Sequence, residues 1–88
     1  MQIDISTRID PLWAPLEKLG ARHSLIDPGE WYWMQEVVKG RIRIQCYKHC
    51  ATRRYLNLDL DGCPWEYRNG EYQRDHLTLT DRIAYALS

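Results

Sequence analysis

The spacing of apolar residues changes along the chain, and each change predicts an element. Ile9, Leu12, Leu16 and Leu19 recur every three or four positions, with Trp13 beside them. That period predicts a helix. Asp10-Pro11 supplies a cap and a first-turn proline, and Gly20 supplies a stop. A helix starting at Pro11 would carry Pro15 where a backbone donor is needed, so a start near Pro15 after a preceding turn stands as the alternative. Asp27-Pro28-Gly29 predicts a turn closing the connector. Ahead of the helix, Met1–Thr7 alternates with Ile3 and Ile5 on one side, as a short edge strand or an ordered arm would.

From Trp31 the period becomes two. Trp31–Val38 and Arg41–Lys48 flank Lys39-Gly40, which predicts a hairpin with a two-residue loop. Its register sets Val37 opposite Ile42, Trp33 opposite Cys46, Glu36 opposite Arg43 and Tyr32 opposite Tyr47. After Cys50-Ala51-Thr52, Arg53–Leu60 alternates Leu56, Leu58 and Leu60 with polar positions. Asp61-Gly62 predicts a second hairpin, with Leu58 opposite Trp65, Leu56 opposite Tyr67 and Leu60 opposite Cys63. Asn69-Gly70 predicts a third, with Arg68 opposite Glu71 and Tyr67 opposite Tyr72. Pro64 is confined to a position without a ladder donor. Thr78 or Thr80 caps a last helix, with Asp81 near its positive end and Leu79, Ile83, Ala86 and Leu87 as its apolar stripe.

The expected fold is therefore α+β over residues 1–88 as one domain. An antiparallel meander of four or five strands is flanked by an N-terminal and a C-terminal helix. Both helices are expected on the sheet face carrying Trp33, Val37, Ile42, Ile44, Leu56, Leu58 and Trp65. An 88-residue chain builds one core and little more. A hydrophobic content of 44% argues against disorder. No apolar run approaches the ~20 residues of a membrane span. The N-terminus has neither a basic start nor a long apolar stretch, so a signal peptide is not expected. Three cysteines, an odd number, fit reduced thiols better than a disulfide framework. The expected location is the cytoplasm.

Charge sharpens the picture. Twelve basic and twelve acidic side chains cancel overall, which excludes a polycationic tail and an acidic mimic of nucleic acid. The cancellation is uneven along the chain. Lys39, Arg41, Arg43, Lys48, Arg53 and Arg54 form a basic block with no acid among them, and the segments on either side are net acidic.

Alternation places Tyr32, Met34, Arg41, Arg43, Tyr47, Arg53 and Tyr55 on the sheet face opposite the helices, alongside Glu36, Gln45, Asn57 and Asp59. Tyr, Met and Arg are the residue types enriched at protein interfaces. The function expected from this face is a small non-catalytic binding or assembly module, self-associating as a homo-oligomer or holding a protein partner. The same residues suit single-stranded RNA or DNA, with arginines on phosphates and tyrosines stacked on bases. As structural residues, the tyrosines would stabilise the sheet as a cross-strand pair and the arginines would be solvated.

Other chemistry finds less support. Cys46, His49, Cys50 and Cys63 offer thiol and imidazole ligands, but the paired spacing of structural zinc sites is missing, and no metal or cofactor is expected. Cys50 has the more electropositive setting of the cysteines. His23, Ser24 and Asp27 are close in sequence, which says nothing about triad geometry. No glycine-rich phosphate loop or paired histidines on a helix occur, so no catalytic residue is assigned.

Overall fold

The computed structural model describes residues 10–88. Seven main elements follow one another: α1 (Ala14–Gly20), β1 (Trp31–Lys39), β2 (Ile42–His49), β3 (Tyr55–Asp59), β4 (Pro64–Arg68), β5 (Glu71–Arg74) and α2 (Leu79–Leu87). A single 3-10 turn at Pro28–Glu30 leads into β1, its entry fixed by the Asp27 carboxylate accepting from the Gly29 amide. The strands form one antiparallel sheet in the order β1-β2-β3-β4-β5, a meander with a helix before and after it. This is the expected α+β arrangement. The strand or arm expected at Met1–Thr7 lies outside the described residues.

The two helices share one face of the sheet. Leu16 and Leu19 of α1 and Ile83 and Ala86 of α2 are buried with Ile26, Trp31, Tyr47, Leu56 and Leu58. The later of the two expected starts for α1 is the one found. Asp10 shapes a turn ahead of it, its carboxylate accepting from the Leu12 amide at 2.9 Å and its carbonyl from the Trp13 amide at 2.8 Å. Pro15 then falls in the first helical turn, where its missing donor costs nothing. In α2, Thr78 Oγ1 accepts from the Asp81 amide at 3.1 Å, the capping bond expected of that threonine.

Three local departures change the expected registers, and the second and third also move side chains between the faces. The first hairpin turns on Gly40-Arg41, with Lys39 opposite Ile42 and Val37 opposite Ile44, because the left-handed residue is Gly40 at the first loop position. A bulge at Met34 then shifts the register, so Trp33 lies opposite Tyr47 and Tyr32 opposite Lys48. The second hairpin has a three-residue loop, Leu60–Gly62, with Gly62 left-handed at its end, and this sets Asn57 opposite Trp65. Asp59 builds that loop: its Oδ1 accepts from the amides of Asp61 and Cys63, each at 2.9 Å. One extra loop residue turns β4 over. The third hairpin has the expected register, Tyr67 opposite Tyr72 and Arg68 opposite Glu71, around left-handed Asn69 and Gly70.

The helix-covered face is therefore only partly the expected one: Trp33, Leu56 and Leu58 are on it. β2 meets β3 with Tyr47 opposite Leu56, so Tyr47 enters the helix-side core. Val37, Ile42, Ile44 and Trp65, expected beneath the helices, gather with Cys46 and Tyr72 in a second cluster on the other face. Neither helix contributes to it. Ile44 and Cys46 are nevertheless fully buried, because the sheet curls over them. Opposite edges of a flat five-stranded sheet would stand about 19 Å apart. Here Gln35 of β1 donates to the Tyr72 hydroxyl of β5 at 3.0 Å, and Lys39 donates to the Tyr72 carbonyl.

Candidate functional site

The seven residues expected on one open face are dispersed. Tyr47 is wholly buried against Trp13, and its hydroxyl donates to the Leu12 carbonyl at 2.7 Å. Burial pushes that phenol well above the usual tyrosine range. Arg41 sits in the first hairpin loop, and Met34 occupies the β1 bulge. Arg43 is exposed but committed to Glu36 at 2.7 Å. The hydrogen bond from Gln45, then that from Arg43, holds the Glu36 carboxyl below its ordinary range. Arg53 lies in the β2–β3 loop with a left-handed backbone. Tyr32 and Tyr55 are brought together in one row, each opposite Lys48 from its own side, on the curled face of the sheet. The Lys48 ammonium lies 5.9 Å from the Tyr55 ring centre.

That row borders a groove. The β3–β4 ladder ends at Asn57–Trp65, and continuing it would pair Tyr55 with Tyr67. The strands part instead. The start of β3 is held towards α2, because Thr52 Oγ1 donates to the Ala86 carbonyl and the Arg54 guanidinium stacks 4.2 Å from the Tyr85 ring centre. The end of β4 stays with β5, where the Tyr67 and Tyr72 rings meet edge to face at 5.0 Å. The space between is about 490 Å³, lined by Tyr55, Asn57, Trp65, Tyr67 and Tyr72, with Gln35, Arg54, Glu66, Arg82 and Tyr85 around them. That volume falls within the ~300–1,000 Å³ typical of ligand sites.

Tyr55 is 41% exposed, Tyr85 47% and Tyr67 63%, whereas Trp65 is buried. Trp65 is held by its indole N–H donating to Asp59 Oδ2 at 2.9 Å and by Arg74 stacked 4.7 Å from its ring centre. Asn57 donates from Nδ2 to the Trp65 carbonyl at 3.2 Å, while its buried Oδ1 has no hydrogen-bond partner among the described residues.

The acids beside the groove are already engaged. Arg82 of α2 binds Asp75 with two hydrogen bonds, and Glu66 accepts from the His76 amide at 2.7 Å and contacts the His76 ring at 2.9 Å. Burial works to raise both carboxyls. The Arg82 bonds together with the Leu77 amide for Asp75, and the His76 ring and amide for Glu66, outweigh it and hold both below their ordinary range. Among the described residues, Glu66, Asp75 and His76 are the one group of such side chains close enough to share a cation. The Arg82 guanidinium already occupies the acidic side of that group. The cysteines do not converge on His49. Cys46 lies against the Tyr72 hydroxyl on the curled face. The His49 ring packs edge-on to Trp31, its Nδ1 facing the amides of Ala51 and Thr52.

Of the groove residues, only Tyr55 was among the seven singled out by alternation. Asn57 was placed beside them on the open face, and it is on that face. Trp65, Tyr67, Tyr72, Arg54 and Tyr85 were missed. The available signal is Asp59, a residue that nucleates turns through its side chain and so adds a residue to the loop. Comparison with family models, curated proteins and solved structures gives no match to this chain.

Proposed function

We propose that this chain is a binding module whose working surface is the groove between β3, β4 and the end of α2. The observation that carries the reading is the early end of the β3–β4 ladder, which leaves a ring-lined recess of ligand size in an otherwise continuous sheet. Binding, not catalysis, fits its walls. Glu66 is taken up by His76, Arg82 by Asp75, and the Tyr72 hydroxyl by Gln35. The test is an amide-resolved NMR titration with three probes: a mixed-sequence 12-nucleotide single strand, a 12-residue acidic peptide and a 12-residue neutral peptide. The expected result is that at least one probe shifts the amides of Tyr55, Asn57, Tyr67 and Tyr85. Shifts confined to other surfaces, or none with any probe at millimolar concentration, would remove the groove as the working surface.

Self-association is the second reading, favoured by Tyr32, Met34 and Val38, all exposed on the edge strand β1. A second copy pairing there would cover apolar area that one short chain leaves in water. Light scattering from 10 µM to 1 mM tests it, and a constant monomer mass would sink it.

A further inference from the structure

Resting on the groove reading, we propose that the occupant is a single-stranded nucleic acid, with bases against Tyr55 and Tyr67 and phosphates on Lys48, Arg53 and Arg54. The argument is charge complementarity joined to ring placement. Arg43 and Lys39, from the same basic block, are committed to Glu36 and to the Tyr72 carbonyl. Lys48, Arg53 and Arg54 have no ion-pair partner among the described residues. Lys48 and Arg54 each lie over a tyrosine that lines the groove. Glu66 and Asp75 beside the groove are hydrogen-bonded to His76 and Arg82, while Lys48 and Arg54 set positive charge directly against exposed rings.

This combination of a cationic track and stacking platforms is how single strands are held without a sequence code. A duplex keeps its bases stacked on one another and could use only the cations. An acidic peptide would use the cations and leave the ring faces idle.

The experiment is fluorescence anisotropy with labelled 12-nucleotide RNA and DNA single strands, the corresponding duplex and the acidic peptide, from 20 to 300 mM salt. Three phosphate contacts predict a slope of log K against log salt of about −2 for the single strand. Arg54→Ala should flatten that slope by about 0.7. Tyr67→Ala and Tyr55→Ala should weaken binding roughly 5- to 150-fold and leave the slope unchanged. Tyr67 is largely and Tyr55 partly exposed, and circular dichroism of each variant verifies the fold. Tyr→Phe at the same positions should retain most of the affinity, since the ring is kept. Three results would overturn the proposal: no single-strand binding at 20 mM salt, equal binding of duplex, or affinity indifferent to both tyrosine truncations. Groove shifts produced by the acidic peptide without any by the single strand would also overturn it, and would leave the groove reading standing.

Discussion

Two buried polar side chains, Tyr47 and Asp59, hold parts of the chain that no backbone ladder reaches. The Tyr47 hydroxyl fastens the turn before α1 to the middle of the sheet through the Leu12 carbonyl. Tyr47→Phe keeps the ring and should cost about 1 kcal/mol, the net worth of one such bond. Tyr47→Ala removes a fully buried ring and should cost about 4 kcal/mol. Urea midpoints of the two variants measure both. Asp59 accepts from two loop amides and the Trp65 indole and lies 3.5 Å from Arg74. Asp59→Ala leaves those donors without an acceptor and should cost about 3 kcal/mol, read from thermal unfolding. It should also release the Trp65 ring, visible as a change in tryptophan emission. A loss under 1 kcal/mol would show that water replaces the carboxylate at the loop.

Among the elements, α2 depends most on charge. Arg82 and Asp75 join it to the chain leaving β5, and Glu66 on β4 holds His76 in the same connector. The folded Asp75 and Glu66 carboxyls titrate below their ordinary range. Their stabilising effect is therefore complete above the unfolded carboxyl range, about pH 4, and is lost as pH falls through the depressed folded values. The melting temperature should hold from pH 7 to 5 in this respect and drop steeply below about pH 4. Asp75→Asn should lower it at pH 7, by about 3 kcal/mol in stability, and shrink the acid-side fall. An unchanged acid limb in that variant would count against the clasp.

Much of the element level was legible from the chain. Thr78, Gly20, Asn69-Gly70 and the two spacing periods marked helix ends and strands through local chemistry. The sheet faces were not legible, because they depend on parity. The Met34 bulge and the third loop residue after Asp59 each invert which side chains point towards the helices, and neither leaves a mark in hydrophobic alternation. Tyr47 illustrates this: its neighbours read as a half-exposed strand, while the β2–β3 register put it in the core. The groove was illegible for a separate reason: it arises where two correctly located strands stop pairing.

At the scale of the molecule, the sheet is bent until its first and last strands touch through Tyr72. Among the described residues, no helix is long and apolar enough to cross a membrane. Among the described residues, the second apolar cluster is sheltered by the curvature of the sheet and by no covering helix, so curvature itself contributes to stability. Tyr72→Ala removes the partner of Gln35 and the edge contact with Tyr67 together. It should open Cys46 to solvent, measured as a faster reaction with a thiol reagent, with Cys50 as the exposed internal reference. Equal Cys46 rates in variant and parent would mean that the curl does not depend on Tyr72.

The contact between β1 and β5 has a consequence for company as well as for packing. A sheet edge is a template on which another chain can add a strand, and a nine-residue edge such as β1 is a long one. Gln35 and Lys39 turn part of that edge inward onto β5, and the Met34 bulge breaks its line. The residues that shelter the second cluster also blunt the place where aggregation would begin. A chain that loses the curl should become sticky before it becomes unfolded.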